Sequence, residues 1–367
     1  MRKPLDIVFL GLTLSSSWGN GHATTYRALL RGLAAGGHRV LFLERDVPWY
    51  ADHRDLADPD FCTLSYYKDL AGLRRHLPVI ASADAVIIGS YVPEGVAIID
   101  LIAGSAPPLF CFYDIDTPVT LAGLESGETE FLAPRQVPIF DIYFSFAGGT
   151  ALDRLKTRYG ARRPVPLYCS VDETQHFHTA EPPRWDLGYL GTYSKDRQPA
   201  LERLLLEPAR RLPDRSFVVA GAQYPDDIDW PDNVQRLEHV PPTAHASFYS
   251  RQRYTLNLTR TDMVSSGWSP SVRLFEAGAC GTPIISDRWN GLSQLFPENE
   301  AVLIADTNDD VVRILTTLPE RERLRIARGA RTRVLAGHTG KARAEELIRY
   351  LAECSERGRP VRPVVAV

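Results

Sequence analysis

Residues 5–44 read LDIVFLGLTLSSSWGNGHATTYRALLRGLAAGGHRVLFLE. Asp6–Gly11 is an aliphatic, β-branched run, the stretch from Thr24 spaces its apolar residues as a helix does, and His38–Glu44 is apolar again. Strand, helix and strand in this order are the unit of a parallel sheet wrapped by helices. Gly36-Gly37 closes the helix, as a C-cap requires, and leaves His38–Glu44 to form the second strand. The alternation continues through DAVIIGS, PLFCFYD and DIYFSF.

Over residues 165–183 the periodicity fails. Pro164, Pro166, Pro182 and Pro183 cluster there around the polar, turn-rich VDETQHFHTAEPPR, which reads as a linker. The pattern then restarts with DLGYLG, the helical RQPALERLLLEPARRL, SFVVAG, VQRLEHV, RYTLNLT, a helix around PSVRLFEAGA, TPIISD and AVLIAD, followed by two closing helices. A length of 367 residues suits two domains. The expectation is an α/β chain with one Rossmann-like domain over 1–170 and a second over 184–340. A helix at Arg343–Glu356 and a Pro-rich tail make up 341–367, and that helix could pack on either domain. Two such halves facing one another place the carboxyl ends of both sheets at a central cleft, where open α/β sheets bind ligands.

Composition narrows the function classes. Hydrophobic residues at 44% and charged residues at 24% exclude global disorder, collagen and coiled coil. The net charge of −3 argues against nucleic acid as the main partner. Cys62, Cys111, Cys169, Cys280 and Cys354 are scattered and show no metal-ligand spacing, so free thiols in a reducing cytoplasm are expected. The start, MRKPLDIVFLG, is basic then apolar, but Asp6 interrupts it and a glycine-rich segment follows, so it reads as a strand rather than a signal peptide. Leu101–Tyr113 is too short, and too broken by Pro107 and Pro108, to span a bilayer.

Ser266–Asp287, SGWSPSVRLFEAGACGTPIISD, carries the most chemical information. Ser269 suits an N-cap and Pro270 a first helical position, which leaves free amides at Ser271 and Val272. Such a helix start, with its positive dipole end, suits a phosphate. Glu276 lies six residues beyond Pro270, about 9 Å along the axis, where its carboxylate can accept hydrogen bonds from the ribose of a nucleoside diphosphate. The alternative is an ordinary surface pair between Arg273 and Glu276.

FEAGACGTPIISD resembles the EAxACGTPVV segment of retaining GT-B glycosyltransferases of family 4. The chain more broadly resembles CgeB-like spore-maturation glycosyltransferases, through FYDIDTPVTL, FDIYFSFAGGTALDRL, GYLGTYSKDRQPALERLL and SPSVRLFEAGACGTPIISDRWNGL. The resemblance implies a GT-B fold, a nucleotide-sugar substrate bound mainly by the second domain, an acceptor on the first, no cofactor, and retention of configuration. It implies that Glu276 holds the donor ribose and that Ser269, Ser271 and Val272 lie at its phosphates. It also places Thr192, Lys195 and Arg197 beside the diphosphate, where positive charge stabilises the departing oxyanion. The leaving phosphate oxygen takes the acceptor proton, so no dedicated base is required. One departure is Trp268, which stands where the family has a second carboxylate aimed at the donor sugar. Backbone amides with stacking by Trp268, or a different donor, would account for it.

In the first domain, Gly19 and Gly21 allow a ligand to approach the backbone closely and His22 opens the following helix, while Thr24 breaks the dinucleotide fingerprint GxGxxG. His22 is either a group at the reacting atoms or a surface or capping histidine. Asp114-Ile115-Asp116 has the D-x-D spacing of metal-dependent GT-A enzymes. The positive helix start already neutralises the diphosphate, so no metal is expected, and Asp114 or Asp116 is assigned to an acceptor hydroxyl, with N-capping as the alternative. Asp287–Gly291 points toward the ligand by position, and Tyr66-Tyr67 and Phe248-Tyr249 read as core. A sugar-nucleotide epimerase of the same fold, a non-catalytic nucleotide-sugar-binding protein and a nicotinamide dehydrogenase are the competing functions.

Overall fold

Seven strands, β1 (Asp6–Gly11), β2 (Arg39–Arg45), β3 (Thr63–Tyr67), β4 (Ala85–Gly89), β5 (Phe110–Asp114), β6 (Ile142–Ser145) and β7 (Pro164–Pro166), pair in parallel in the order β3-β2-β1-β4-β5-β6-β7. Six more, β8 (Trp185–Leu190), β9 (Phe217–Ala220), β10 (Val234–Leu237), β11 (Gln252–Asn257), β12 (Ile284–Ser286) and β13 (Leu303–Ile304), form a second parallel sheet in the order β10-β9-β8-β11-β12-β13. These are two doubly wound α/β sheets, each reversing its strand order once, between β1 and β4 and between β8 and β11. At such a reversal the loops leaving the carboxyl ends of the two strands diverge and open a crevice. The computed structural model describes residues 3–18 and 21–356, so Gly19 and the Pro-rich tail lie outside the described residues.

The continuous apolar runs follow from burial on both faces. Val8, Leu10, Val86, Ile88, Phe110 and Phe112 pack on one side of the first sheet. Ile7, Phe9, Ala85, Ile87, Cys111 and Tyr113 pack on the other, beneath Tyr26, Leu29, Leu30 and Leu33 of helix His22–Ala35. That helix ends where expected, with Gly36 at the C-cap and Gly37 at φ +82°.

The chain divides into two units. One runs to Ser170 and resumes at Gly340, and the other is Val171–Thr339. The helix that could have packed on either half starts at Gly340, ends at Glu356, and inserts Ala344, Leu347, Ile348 and Leu351 into the first unit's core. Leu347, Ile348 and Leu351 together contribute roughly 5–9 kcal/mol of apolar burial, as much as the net stability of many domains. Where this helix crosses His22–Ala35, the backbones touch at two glycines: a Cβ on Gly32 would lie 2.3 Å from the Gly340 carbonyl oxygen, and one on Gly340 2.0 Å from that of Ala28.

The structure differs from the expected elements in several places. Pro164 and Pro166, assigned to the linker, form the edge strand β7, where a missing N–H costs little in the ladder. Tyr66-Tyr67 ends the edge strand β3, with Tyr67 buried. Thr261–Ser266 is a helix the periodicity did not reveal.

Candidate functional site

In the second unit the loops leaving β8, β11 and β12 gather around helix Val272–Ala279. Its N-cap is Ser271, not Ser269: Ser271 is extended, at φ −71° and ψ 145°, and its Oγ accepts from the Arg273 amide. Ser269-Pro270-Ser271 offers two capping serines, and the structure uses the second, with Ser269 and Pro270 buried ahead of the helix. Gly281 follows the helix at φ +70°, as the reading of ACGTP required.

Arg273 and Glu276 do not form a surface pair. Both are buried, and the Arg273 guanidinium turns back under the strand ends, donating to the Leu190 carbonyl, Asn257 Oδ1 at 3.2 Å and Ser271 Oγ at 3.2 Å. It also lies 4.9 Å from the centre of the Tyr189 ring. Arg197 donates to the Thr192 carbonyl at 2.8 Å and lies among Tyr189, Thr192, Ser194, Gln198, Leu201 and Tyr224 around a narrow crevice. Burial lowers its pKa, and the neighbouring Arg273 acts in the same direction. The two guanidiniums thus bring positive charge to the carboxyl end of β8, while Lys195 is exposed. The sequence reading missed Arg273, which there resembled an ordinary helix-surface residue.

Glu276 is only 4% exposed. Tyr249 Oη donates to its Oε2 at 2.9 Å, while His176 Nε2 lies 3.6 Å and His245 Nδ1 3.8 Å from its Oε1. Burial alone would raise its pKa, but His245, His176 and Tyr249 outweigh this and hold it down at about 2. Tyr249, read as core, is therefore the residue that orients this carboxylate. His176 and His245 were not singled out, because their nearness to Glu276 joins three segments far apart in the chain.

Trp268 has φ +45°, donates from Nε1 to Gln294 Oε1 at 3.0 Å, and packs its ring on Gly291, where a Cβ would lie 2.4 Å from Trp268 Cδ1. Asp287 turns inward and accepts from the Thr259 amide at 2.9 Å and hydroxyl at 2.8 Å.

In the first unit, His22, Tyr91 and Asp116 come together at the carboxyl ends of β1, β4 and β5. Tyr91 Oη donates to Asp116 Oδ2 at 3.2 Å, and its ring meets that of His22 edge-on at 5.3 Å between centres. Burial depresses the His22 pKa to about 4, so the imidazole is neutral near pH 7. Gly21 caps this helix at φ −89°, and none of the described atoms lies within 4 Å of where its Cβ would stand, so the fold itself does not demand glycine there. Behind it, the buried Glu44 carboxylate accepts from the Leu14 and Ser15 amides and the Ser15 hydroxyl, fixing the path of the loop after β1.

Asp114 and Asp116 do not project side by side, because the strand ends between them. Asp114 is fully buried and accepts from Tyr143 Oη at 2.7 Å, Thr120 Oγ1 at 2.7 Å and the Asp116 amide at 3.3 Å. Its carboxylate holds the turn after β5 through these three donors. Asp116 takes the N-cap position of helix Thr117–Ser126 without a side-chain capping bond.

Burial pushes the Asp114 pKa up to about 6 despite those three donors, against an ordinary value of 3.8. Between these values the folded state binds more protons than the unfolded chain, so stability falls as pH rises through this window. In urea unfolding across pH 4–7, Asp114→Asn is expected to remove up to roughly 3 kcal/mol of that slope. An unchanged slope would assign the pH dependence to another group.

Residues 197–349 match a family model described as glycosyl transferase-like. No curated protein matches the chain. Among solved structures, sucrose-phosphate synthase from Thermosynechococcus elongatus aligns at 15% identity over 96% of this chain and 100% of its own, with a TM-score of 0.69. HepE of Anabaena in complex with UDP and glucose aligns at 10% identity over 95% and 100%, with a TM-score of 0.67. An α-glucosyltransferase in complex with UDP-glucose and DNA containing an abasic site aligns at 14% identity over 95% and 100%, with a TM-score of 0.69. The chain has the GT-B fold. At these identities the GT-B likeness is one of architecture, and the glycosyl transferase-like match adds a family signal over most of the second unit and part of the closing helix.

Proposed function

We propose that the chain is a glycosyltransferase that moves a sugar from a nucleotide-sugar donor, held by the second unit, to an acceptor at the first, with retention and without a catalytic metal. The observation that carries this reading is the convergence of Arg197, Arg273 and the start of helix Val272–Ala279 at the carboxyl ends of β8 and β11. Two guanidiniums and a helix start favour a diphosphate and stabilise the charge that develops on it as the glycosidic bond breaks. UDP in the HepE complex and UDP-glucose in the α-glucosyltransferase complex support a uridine donor. Glu276 is assigned to the donor ribose through the carboxylate lone pairs that Tyr249 leaves.

At the first unit, Asp116 and the neutral His22, joined through Tyr91, are assigned to the acceptor. Asp114 is withdrawn from that role and from any D-x-D metal pair, since its oxygens already serve Tyr143, Thr120 and the Asp116 amide. Retention and the CgeB-like affiliation rest on the resemblance of FEAGACGTPIISD and its flanking segments. The near-neutral charge supports an acceptor other than nucleic acid. None of the five cysteines is in a disulfide, which supports a reducing compartment. Among the described residues no helix is long and apolar enough to cross a membrane.

UDP-glucose titrated into the protein by calorimetry tests the donor assignment. Arg197→Ala is expected to weaken UDP binding about 10- to 100-fold, the scale of lost hydrogen bonds to a charged group, and to leave the melting temperature nearly unchanged, because among the described residues its guanidinium donates only to the Thr192 carbonyl. Equal UDP affinity in the variant and the parent protein removes Arg197 from the site. Failure of UDP-, GDP-, ADP- and dTDP-sugars alike to bind the parent overturns the donor reading.

A further inference from the structure

His176 follows the turn after Val171, His245 opens helix His245–Ser250, and Glu276 sits in the middle of helix Val272–Ala279. One nitrogen of each imidazole is committed to a main-chain carbonyl: His176 Nδ1 to Asp172 O at 3.3 Å, and His245 Nε2 to Val240 O at 3.2 Å. A carbonyl only accepts, so these nitrogens carry hydrogen, and the lone pair of each neutral ring falls on the opposite atom. Those atoms, His176 Nε2 and His245 Nδ1, are buried and have no partner within 3.5 Å among the described residues. Both face Glu276 Oε1, at 3.6 and 3.8 Å, beyond hydrogen-bond reach. Tyr249 Oη, on Oε2, pins the carboxylate in this orientation.

Unprotonated, the three groups turn lone pairs on one another in a place closed to bulk water, and positive charge between them relieves the repulsion: the Glu276 carboxylate accordingly raises the His245 pKa against the pull of burial. A proton on one imidazole would bridge a single nitrogen to Oε1 and leave the other lone pair facing the carboxylate. A divalent metal ion satisfies all three at once. The three ligand atoms lie within 4.8 Å of one another. A tetrahedral ion bound at about 2.0–2.2 Å holds its ligands about 3.3–3.6 Å apart, so the imidazole–carboxylate spacings of 3.6 and 3.8 Å need contract by only a few tenths of an ångström and the separation of up to 4.8 Å by about an ångström or a little more to close the site. Two histidines and a glutamate, each ring oriented by a carbonyl and the carboxylate by a tyrosine, make a zinc donor set with its supporting shell.

We propose that His176, His245 and Glu276 bind a zinc ion within the second unit and thereby fasten the segment after Val171 to the two helices. The site stands on side-chain geometry and is independent of the donor assignment. A carboxylate offers about four lone-pair positions, of which Tyr249 and the ion take one each, so Glu276 can serve both a metal and a ribose.

The test uses the full chain without a histidine tag, stripped with a chelator, reloaded with zinc and dialysed, in the absence of nucleotide. Mass spectrometry of the metal content is expected to give about one zinc per chain, and cobalt in its place the visible d–d absorption of a tetrahedral site. His176→Gln and His245→Gln are each expected to lose most of that zinc and the cobalt band, while His38→Gln retains both. Zinc is expected to raise the melting temperature of the parent and not that of the His176 and His245 variants. A parent protein that keeps no zinc after dialysis overturns the proposal, whatever the fate of the variants. So do folded His176 and His245 variants that bind zinc and cobalt as the parent does. Zinc uptake without UDP binding leaves this site standing and rejects only the donor assignment.

Discussion

Gly340→Leu is expected to lower the melting temperature of the first unit by roughly 10 °C or more, seen by calorimetry as a displaced transition. A Cβ at this position would stand 2.0 Å from the Ala28 carbonyl oxygen and 2.5 Å from its carbon, both main-chain atoms of helix His22–Ala35 that have no rotamer with which to yield. The closing helix must therefore lift. Lifting it exposes Leu347, Ile348 and Leu351 together with the sheet face of Ile7, Phe9 and Ile87 beneath the two helices. Overpacking alone costs roughly 1–3 kcal/mol and partial loss of this burial adds to it, while about 2–4 °C accompanies each kcal/mol in a unit of this size. Gly340→Ala is expected to show a smaller shift in the same direction. A Leu variant that melts with the parent would mean that the two backbones do not touch.

Glu276→Gln is expected to cost roughly 3 kcal/mol of stability in the second unit. The carboxylate is buried, accepts from Tyr249 and offsets the positive charge, proton or metal ion, that His176 and His245 hold against it, so the amide leaves that charge uncompensated. A glutamate that only met ribose on an open surface would lose UDP affinity and keep its melting temperature. Chemical unfolding and UDP titration of the same variant separate the two. Loss of both supports a carboxylate that organises the pocket and receives the ligand, whereas normal stability would show that the buried cluster contributes little to the fold.

What could be read from the chain was local. Asp6–Gly11, Ala85–Gly89 and Phe110–Asp114 announce buried parallel strands because each must be apolar on both faces, and Gly36-Gly37 and Gly281 mark helix ends through the backbone conformation they permit. The edges of the sheets were less legible. Thr63–Tyr67 and Pro164–Pro166 have few ladder bonds to satisfy and tolerate residues that a central strand rejects. At the site, the helix bearing Glu276 was visible from its caps and spacing, but the choice between Ser269 and Ser271 depended on where Arg273 turned. The partners of Glu276 were hidden for a different reason. His176, His245 and Tyr249 are separated from it by 100, 31 and 27 residues, and no periodicity links positions brought together only by the closure of a sheet. Asp114-x-Asp116 looked like a pair because spacing carries no record of burial, and burial is what divides them into a fully buried turn support and a half-buried acid at a helix start.

The return of the chain at Gly340 gives the molecule a nested order of completion. The second unit is one uninterrupted stretch, Val171–Thr339, and every strand of its sheet has left the ribosome before the closing helix does. The first unit, although its seven strands and helix His22–Ala35 are made first, lacks the second helix over that side of its sheet until residue 356 has been synthesised. Half-made chains therefore carry an apolar face with its seal missing, and an mRNA break or a frameshift after Thr339 would leave a product whose inner part is whole and whose outer part is open. Such a product exposes the apolar sheet face that Ala344, Leu347, Ile348 and Leu351 cover in the full chain.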